Sequence, residues 1–179
     1  MSNFGMSFVY IDGANLHKGS LELNNKIDYK KFGGWLKQKY KTDKIYLFIG
    51  LIPKYSKLYQ RLQEYGFILV FKETVMNGNG EVKVNCDAEL VLKVVSDFYE
   101  EKTDNFVIIS GDGDFGCLVE FLLEKNKRVL ILPPVKEKCS YLLRKTKVRI
   151  SPLDEHYHKF SSKLLGEQKE KAPDKDESM

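Results

Sequence analysis

Short apolar runs alternate along the chain with longer stretches in which apolar residues recur every three or four positions. Residues 7–11 (SFVYI), 44–50 (KIYLFIG), 67–71 (FILVF), 105–110 (NFVIIS) and 128–132 (RVLIL) are rich in β-branched and aromatic side chains and are punctuated by Asp, Gly and Pro. They predict five strands buried on both faces. Residues 28–40, 54–65, 87–101 and 115–125 predict helices. Phe32, Trp35, Leu36 and Tyr40 share one stripe, and Leu90, Val91, Val94, Val95 and Phe98 another. Gly66 stops the second helix. Residues 140–145 predict a short helix and 148–150 a last edge strand. Asn77-Gly78-Asn79-Gly80, set between Val75 and Val82, predicts a hairpin or a mobile loop.

Strands that are apolar throughout and alternate with helices predict a mainly parallel sheet covered on both faces, a three-layer α/β/α sandwich. The expected organisation is one domain over residues 1–165, followed by a polar, disordered tail over 166–179 (GEQKEKAPDKDESM). No internal repeat occurs.

Composition changes this picture little. The 179 residues are 42% hydrophobic and 30% charged, which suffices for a core and excludes a wholly disordered or fibrous chain. No run of about eighteen apolar residues exists, and residues 1–8 lack the basic and apolar regions of a secretion signal. A cytoplasmic protein without membrane partners is expected. Cys86, Cys117 and Cys139 form no C-x-x-C pair, so neither a disulfide framework nor a zinc knuckle is expected. Cys86 and Cys117 are expected in or near the core, and His156 and His158 on the surface. The net charge of +4 says less than its distribution: residues 136–149 hold Lys136, Lys138, Arg144, Lys145, Lys147 and Arg149 against Glu137 alone.

Candidate chemistry follows from the fold class, because parallel sheets bind ligands beyond the carboxyl ends of their strands. Asp12-Gly13-Ala14-Asn15 follows the first strand there, and Ser110-Gly111-Asp112-Gly113-Asp114 the fourth. Asp87 opens the helix leading into the fourth. Helix capping accounts for any one of these acids but not for their concentration. Several carboxylates at one edge repel and raise one another's pKa values, and a hard divalent cation removes that penalty. An oxygen-only donor set without His or Cys suits Mg²⁺ or Mn²⁺. Gly111-x-Gly113-x-x-Gly116 spells the dinucleotide fingerprint, yet Asp112 and Asp114 would repel a pyrophosphate. Asp114-Phe115-Gly116 spells a kinase triplet without the kinase's other motifs. Ser110 has no neighbouring His and sits in no nucleophile elbow. Lys18, Lys72, Lys83, Arg144 and Lys145 are candidate phosphate contacts. Tyr10, Tyr55 and Tyr59 are candidate stacking groups, with core packing the expected fate of Tyr10.

Three of these segments carry a resemblance. Val9-Tyr10-Ile11-Asp12-Gly13-Ala14-Asn15 resembles the opening I-D-G-x-N motif of the NYN domain family, relatives of PIN-domain nucleases. Val107-Ile108-Ile109-Ser110-Gly111-Asp112-Gly113-Asp114-Phe115 resembles its S-G-D-x-D-F signature. Residues 83–97 (KVNCDAELVLKVVSD) are similar to its middle helix. The likeness covers about residues 6–151, and the bacterial LabA-like (DUF88) branch is similar in length and layout. It implies a PIN-like sandwich and a metal-dependent ribonuclease, with Mg²⁺ or Mn²⁺ as the expected ion. An endonuclease acting on single-stranded rather than duplex RNA is expected, with exonuclease action and single-stranded DNA as the alternatives. Asp12, Asp87, Asp112 and Asp114 would form the acidic cluster. Asn15 would orient Asp12 or contact the scissile phosphate, and Ser110 would hydrogen-bond within the cluster. The implied mechanism has one ion held by Asp12 and Asp112, with or without Asp87, acidifying a water. Asp114 would position that water or hold a second ion, and the products would carry 5′-phosphate and 3′-hydroxyl ends. The chain departs from the family at Lys93, where many members have a further Asp; Asp97 lies almost three turns beyond Asp87, too far to share its ion. Two other readings stand beside this one. A catalytically weak PIN-like module would hold RNA or a protein. A metal-dependent phosphatase would need an acid where Ala14 stands. A homodimer that extends the groove is the assembly to test.

Overall fold

In a computed structural model of the chain, residues 6–76 and 82–164 are described, with the backbone alone at 75, 76, 82 and 83. The Asn77–Gly80 turn and the tail from 166 lie outside the described residues. The elements in chain order are β1 (Phe8–Asp12), α1 (Gly13–Glu22), β2 (Asn25–Ile27), α2 (Tyr29–Tyr40), β3 (Lys44–Leu51), α3 (Ser56–Glu64), β4 (Phe67–Glu73), β5 (Val75–Met76), β6 (Val82–Lys83), α4 (Asp87–Tyr99), β7 (Asn105–Ile109), α5 (Gly116–Glu124), β8 (Arg128–Ile131), α6 (Tyr141–Lys145), β9 (Arg149–Ile150) and β10 (Ser161–Lys163).

Every residue of β1 and β7 is buried, which is why these segments read as continuous apolar runs rather than as alternating ones. Their side chains still alternate in direction. Val9, Ile11, Val107 and Ile109 enter one core, with Leu16 of α1, Phe32 and Leu36 of α2 and Leu62 of α3. Phe8, Tyr10, Phe106 and Ile108 enter the other, with Leu90 and Val94 of α4, Val119 and Leu122 of α5 and Leu143 of α6. Full burial of each such side chain stabilises by about 1.5–3 kcal/mol. The result is a three-layer α/β/α sandwich.

Among the described residues, six strands form one sheet in the order β4-β3-β1-β7-β8-β9, and every neighbouring pair is parallel. The chain builds outward from β1 through β3 to β4, returns to β7, and continues through β8 to β9. The reversal leaves a crevice at the carboxyl ends of β1 and β7, where open parallel sheets bind ligands.

Some details differ from the sequence expectations, while the hairpin and the core packing of Tyr10 match them. Helix α1 and the antiparallel pair β2–β10 are additional elements. Short 3₁₀ turns at Pro53–Tyr55 and Gly113–Phe115 take over the starts of two expected helices. The hairpin appears as antiparallel pairing of Val75 with Lys83 and Met76 with Val82. Tyr59 is buried, and its hydroxyl donates to Gly50 O and accepts from Ile52 N, so it is a structural strut rather than a stacking platform. Tyr10 is buried and stacked between Tyr46 and Phe106. Cys117 is exposed rather than in the core, while Cys139 is buried.

Asp97 is fully buried. Lys93 approaches it at 2.6 Å and Lys102 at 3.5 Å, and the Tyr10 hydroxyl donates to it at 3.0 Å. Lys93 also lies 4.7 Å from the centre of the Tyr46 ring. The departure at Lys93 is therefore half of a compensated pair beneath α4, away from the crevice.

Candidate active site

The last residue of β1, Asp12, does two things at once. One carboxylate oxygen caps α1 by accepting from Asn15 N at 3.1 Å. The other accepts from the Ser110 hydroxyl at 3.0 Å, just past the end of β7. Capping and clustering are thus compatible, because one carboxylate has two oxygens. Helix α1 leaves β1 so tightly that a Cβ on Gly13 would come within 2.6 Å of Phe48 O on β3.

The loop after β7 is held by the same partners. Ser110 Oγ accepts from Asp112 N at 3.1 Å, and Asn15 Oδ1 accepts from Gly111 N at 3.0 Å. The Asn15 side chain therefore fixes the Ser110–Asp112 loop, while its backbone N–H orients Asp12. Asp112 caps the following 3₁₀ turn by accepting from Asp114 N at 3.0 Å. From the far side, Ser140 N donates to Gly111 O at 2.9 Å, which seats the start of α6 against this loop.

Asp87 arrives from a third direction as the first residue of α4. It is not the cap: Cys86 occupies that position without a side-chain bond. Instead Asn85 Oδ1 accepts from Asp87 N at 2.8 Å. Lys72 of β4 donates to Asn85 O at 2.7 Å and pairs with Glu89 at 3.2 Å. Its ammonium is spent on bracing this helix start rather than left for a phosphate.

Asp87, Asp112 and Asp114 each offer an oxygen, and these atoms lie within 4.8 Å of one another. Among the described residues this is the group able to hold a metal ion. Asp112 belongs to it, while Asp12 stands behind the trio, each of its oxygens accepting one hydrogen bond and keeping a lone pair free. Burial raises the Asp12 pKa, the bonds from Asn15 and Ser110 counter it, and the charges of Asp87 and Asp112 raise it further. Burial also raises the Asp87 pKa; Asn85 opposes this, Asp112 and Asp114 add to it, and Lys72 relieves it. A trio of hard oxygen donors, with Asp12 and Asp87 each raised in pKa by burial and by neighbouring carboxylates, fits a divalent cation such as Mg²⁺ or Mn²⁺. The neighbouring Cys86 thiol is pushed up to about 11, chiefly by burial and then by Glu89, which leaves no thiolate nucleophile here near neutral pH.

The remaining candidates are placed unequally. Lys18 is exposed on α1 and lines a cavity together with Asn15 and Gly111. Arg144 lines a separate cleft with Cys139, Ile150 and Glu155, and Lys145 is exposed at the end of α6. The Lys83 side chain lies outside the described residues. One residue of the site was not singled out from sequence: Asn85 shows itself only through an Asx bond at a helix start.

Residues 7–151 match the family described as NYN domain. No curated protein matches the chain. A Vibrio parahaemolyticus protein of unknown function, VPA0982, has a similar solved structure, with a TM-score of 0.72 and 21% identity over 90% of this chain and 99% of that one. At that identity the likeness shows the fold alone. YcaC from Pseudomonas aeruginosa, solved with hexane-2,5-diol and covalent acrylamide, aligns over 87% of this chain and 79% of its own at 12% identity and a TM-score of 0.44. With its family matched over residues 7–151 and an acidic trio at the carboxyl edge of its parallel sheet, the chain belongs to the NYN domain family, a PIN-like family of nucleases.

Proposed function

We propose that the protein is a divalent-metal-dependent endoribonuclease of the LabA-like (DUF88) branch that cleaves single-stranded RNA. One observation carries this reading: carboxylates from the start of α4 and from the loop after β7 converge at the switch point of a parallel sheet, with the buried Asp12 of β1 behind them. Proteins that only bind RNA gain nothing from concentrating negative charge where the polyanion must lie.

Asp87, Asp112 and Asp114 would hold Mg²⁺ or Mn²⁺. Bound there, the ion supplies Lewis acidity, acidifying water and offsetting the charge that builds on the phosphate in the transition state. Asp12 keeps the Ser110 hydroxyl in place, and Ser110 in turn fixes the backbone N–H of Asp112. Asn15 locks Gly111, so the two signature loops cannot drift apart. Asp114, the exposed member of the trio, accepts a hydrogen bond from the attacking water and aims it in line with the leaving 3′-oxygen. The products carry 5′-phosphate and 3′-hydroxyl ends.

The test is cleavage of a 5′-labelled single-stranded RNA in Mn²⁺, Mg²⁺ or EDTA by wild type and Asp112→Asn. Loss of a residue outside a metal's ligand set commonly costs about 10–100-fold, so loss of a ligand is expected to cost at least about 100-fold. Equal inertness of both proteins with RNA binding intact would make the chain a binding module instead.

A further inference from the structure

A cavity of about 100 Å³ opens between α1 and the loop that follows β8. One wall is the scaffold of the acidic site itself: Asn15 and Gly111, joined by the 3.0 Å bond from Gly111 N to Asn15 Oδ1. Lys18 lines it from α1 and Lys138 from the 3₁₀ turn Lys136–Lys138. A glycine permits this approach, since a Cβ on Gly19 would sit 2.5 Å from Pro134 Cβ.

What sets this cavity apart is its place: two lysines with ammonium groups unpaired among the described residues meet there, against the scaffold of the acidic site. Lys72 is spent on Asn85 O and Glu89, Lys93 on Asp97, and Lys127 on Asp104. Among the described residues, neither Lys18 nor Lys138 has an ion pair or hydrogen bond for its ammonium, and both are exposed. Glu22, also in the lining, balances one of them and leaves one net positive charge. That charge matches a single phosphodiester. The cavity, about 100 Å³ and open to solvent, has room for a phosphate group.

We propose that this cavity is a phosphate subsite, in which Lys18 and Lys138 hold a neighbouring phosphate of the RNA strand whose scissile phosphate sits at the acidic trio. The inference rests on the nuclease reading and adds a direction to it. The strand leaves the trio along the flank of α1, on the face of the sheet opposite α4. Lys138 is a substrate-positioning residue that touches no reacting atom.

The experiment measures equilibrium binding of a labelled ten-nucleotide single-stranded RNA across a KCl series. The full chain is used in an Asp112→Asn background, so that nothing is cut. Against this background, Lys18→Ala/Lys138→Ala is compared with Lys57→Ala, which lies on α3. The double variant is expected to bind about tenfold more weakly at low salt, for any sequence, and to flatten the slope of log affinity against log salt by about 0.7, the worth of one phosphate on a single strand. Lys57→Ala should change neither. With Asp112 restored, the lysine pair should raise KM and leave kcat in place. An unchanged slope and KM in a double variant of an otherwise active enzyme would overturn the subsite alone. A wild type that neither binds nor cuts RNA would overturn the nuclease reading and the subsite with it.

Discussion

Ser110 shows how much one oxygen can organise. Its hydroxyl donates to Asp12 and accepts from Asp112 N, so it ties the end of β1 to the loop carrying two of the three site carboxylates. Ser110→Ala leaves a buried carboxylate oxygen without its donor, which costs about 1–3 kcal/mol, and loosens the loop. Activity should fall about 10–100-fold with the fold retained, and Ser110→Thr should recover most of it. A kinetic and thermal-melt comparison of the three proteins checks this; an alanine variant as active as wild type would remove Ser110 from the site. Lys93 supplies the opposite lesson. An acid placed there on family grounds would face Asp97, which is fully buried and paired with that lysine at 2.6 Å. Lys93→Asp should therefore destabilise by about 3–5 kcal/mol in denaturant melts and bring no gain in cleavage or metal affinity. The acids of the crevice were readable from sequence because each sits at a strand end or a helix start. Ser110 as a partner within the cluster and Asn15 as the residue orienting Asp12 came only through the family resemblance, since local pattern carries no trace of a contact between Ser110 and Asp12 across nearly a hundred residues; the bond from Gly111 N to Asn15 was not foreseen at all.

The strands were legible because burial on both faces leaves a continuous apolar run, whereas α1 was not. Its sequence, GANLHKGSLE, has two glycines and few apolar residues, and nothing in its periodicity demands a helix. It forms because Asp12 caps it and because Gly13 and Gly19 let it lie against β3 and against Pro134. Gly13→Ala would force its methyl group into Phe48 O on β3 and push α1 outward, taking Asn15 and Lys18 with it. Strands β2 and β10 were hidden for another reason: three residues each, paired across more than a hundred positions, leave no local signal. At α4 the helix start itself carries a prediction. Burial and the charges of Asp112 and Asp114 hold the Asp87 pKa above its usual value. A carboxyl that keeps its proton more tightly folded than unfolded makes stability fall as pH rises from the ordinary carboxylate range through the folded pKa. In EDTA near neutral pH that penalty is fully present, so Asp87→Asn should melt at a higher temperature than wild type. The difference should shrink on acidification towards about pH 4, where both states of the wild type take up the proton. A variant that melts lower than wild type near neutral pH would show that Asp87 stabilises α4 more than its neighbours repel it.

On the scale of the whole molecule, the site is a clasp between halves of the chain that fold outward in opposite directions. One half runs from β1 through β3 to β4, and the other from β7 through β8 to β9; β1 and β7 are joined in register along the middle of the sheet. Asp12 closes the first half at the crevice, Asp112 and Asp114 open the second, and Asp87 stands on the helix between them. A cation bound there relieves repulsion in the folded state and finds no preformed site in the unfolded chain. Binding must therefore raise the stability of the entire fold by mass action. At a concentration of Mn²⁺ about one hundred times its dissociation constant, the gain is about 2.7 kcal/mol, which for a chain of this size is a rise in Tm of about 5–10 °C. The rise should be reversed by EDTA and be absent in Asp112→Asn. It should persist in Lys18→Ala/Lys138→Ala, because those lysines face the RNA strand and not the ion. Differential scanning fluorimetry over a Mn²⁺ series checks all three at once, without any RNA present. A Tm indifferent to Mn²⁺ in wild type would mean that the carboxylates carry their repulsion unrelieved, and the acidic trio would then have to be explained without a metal.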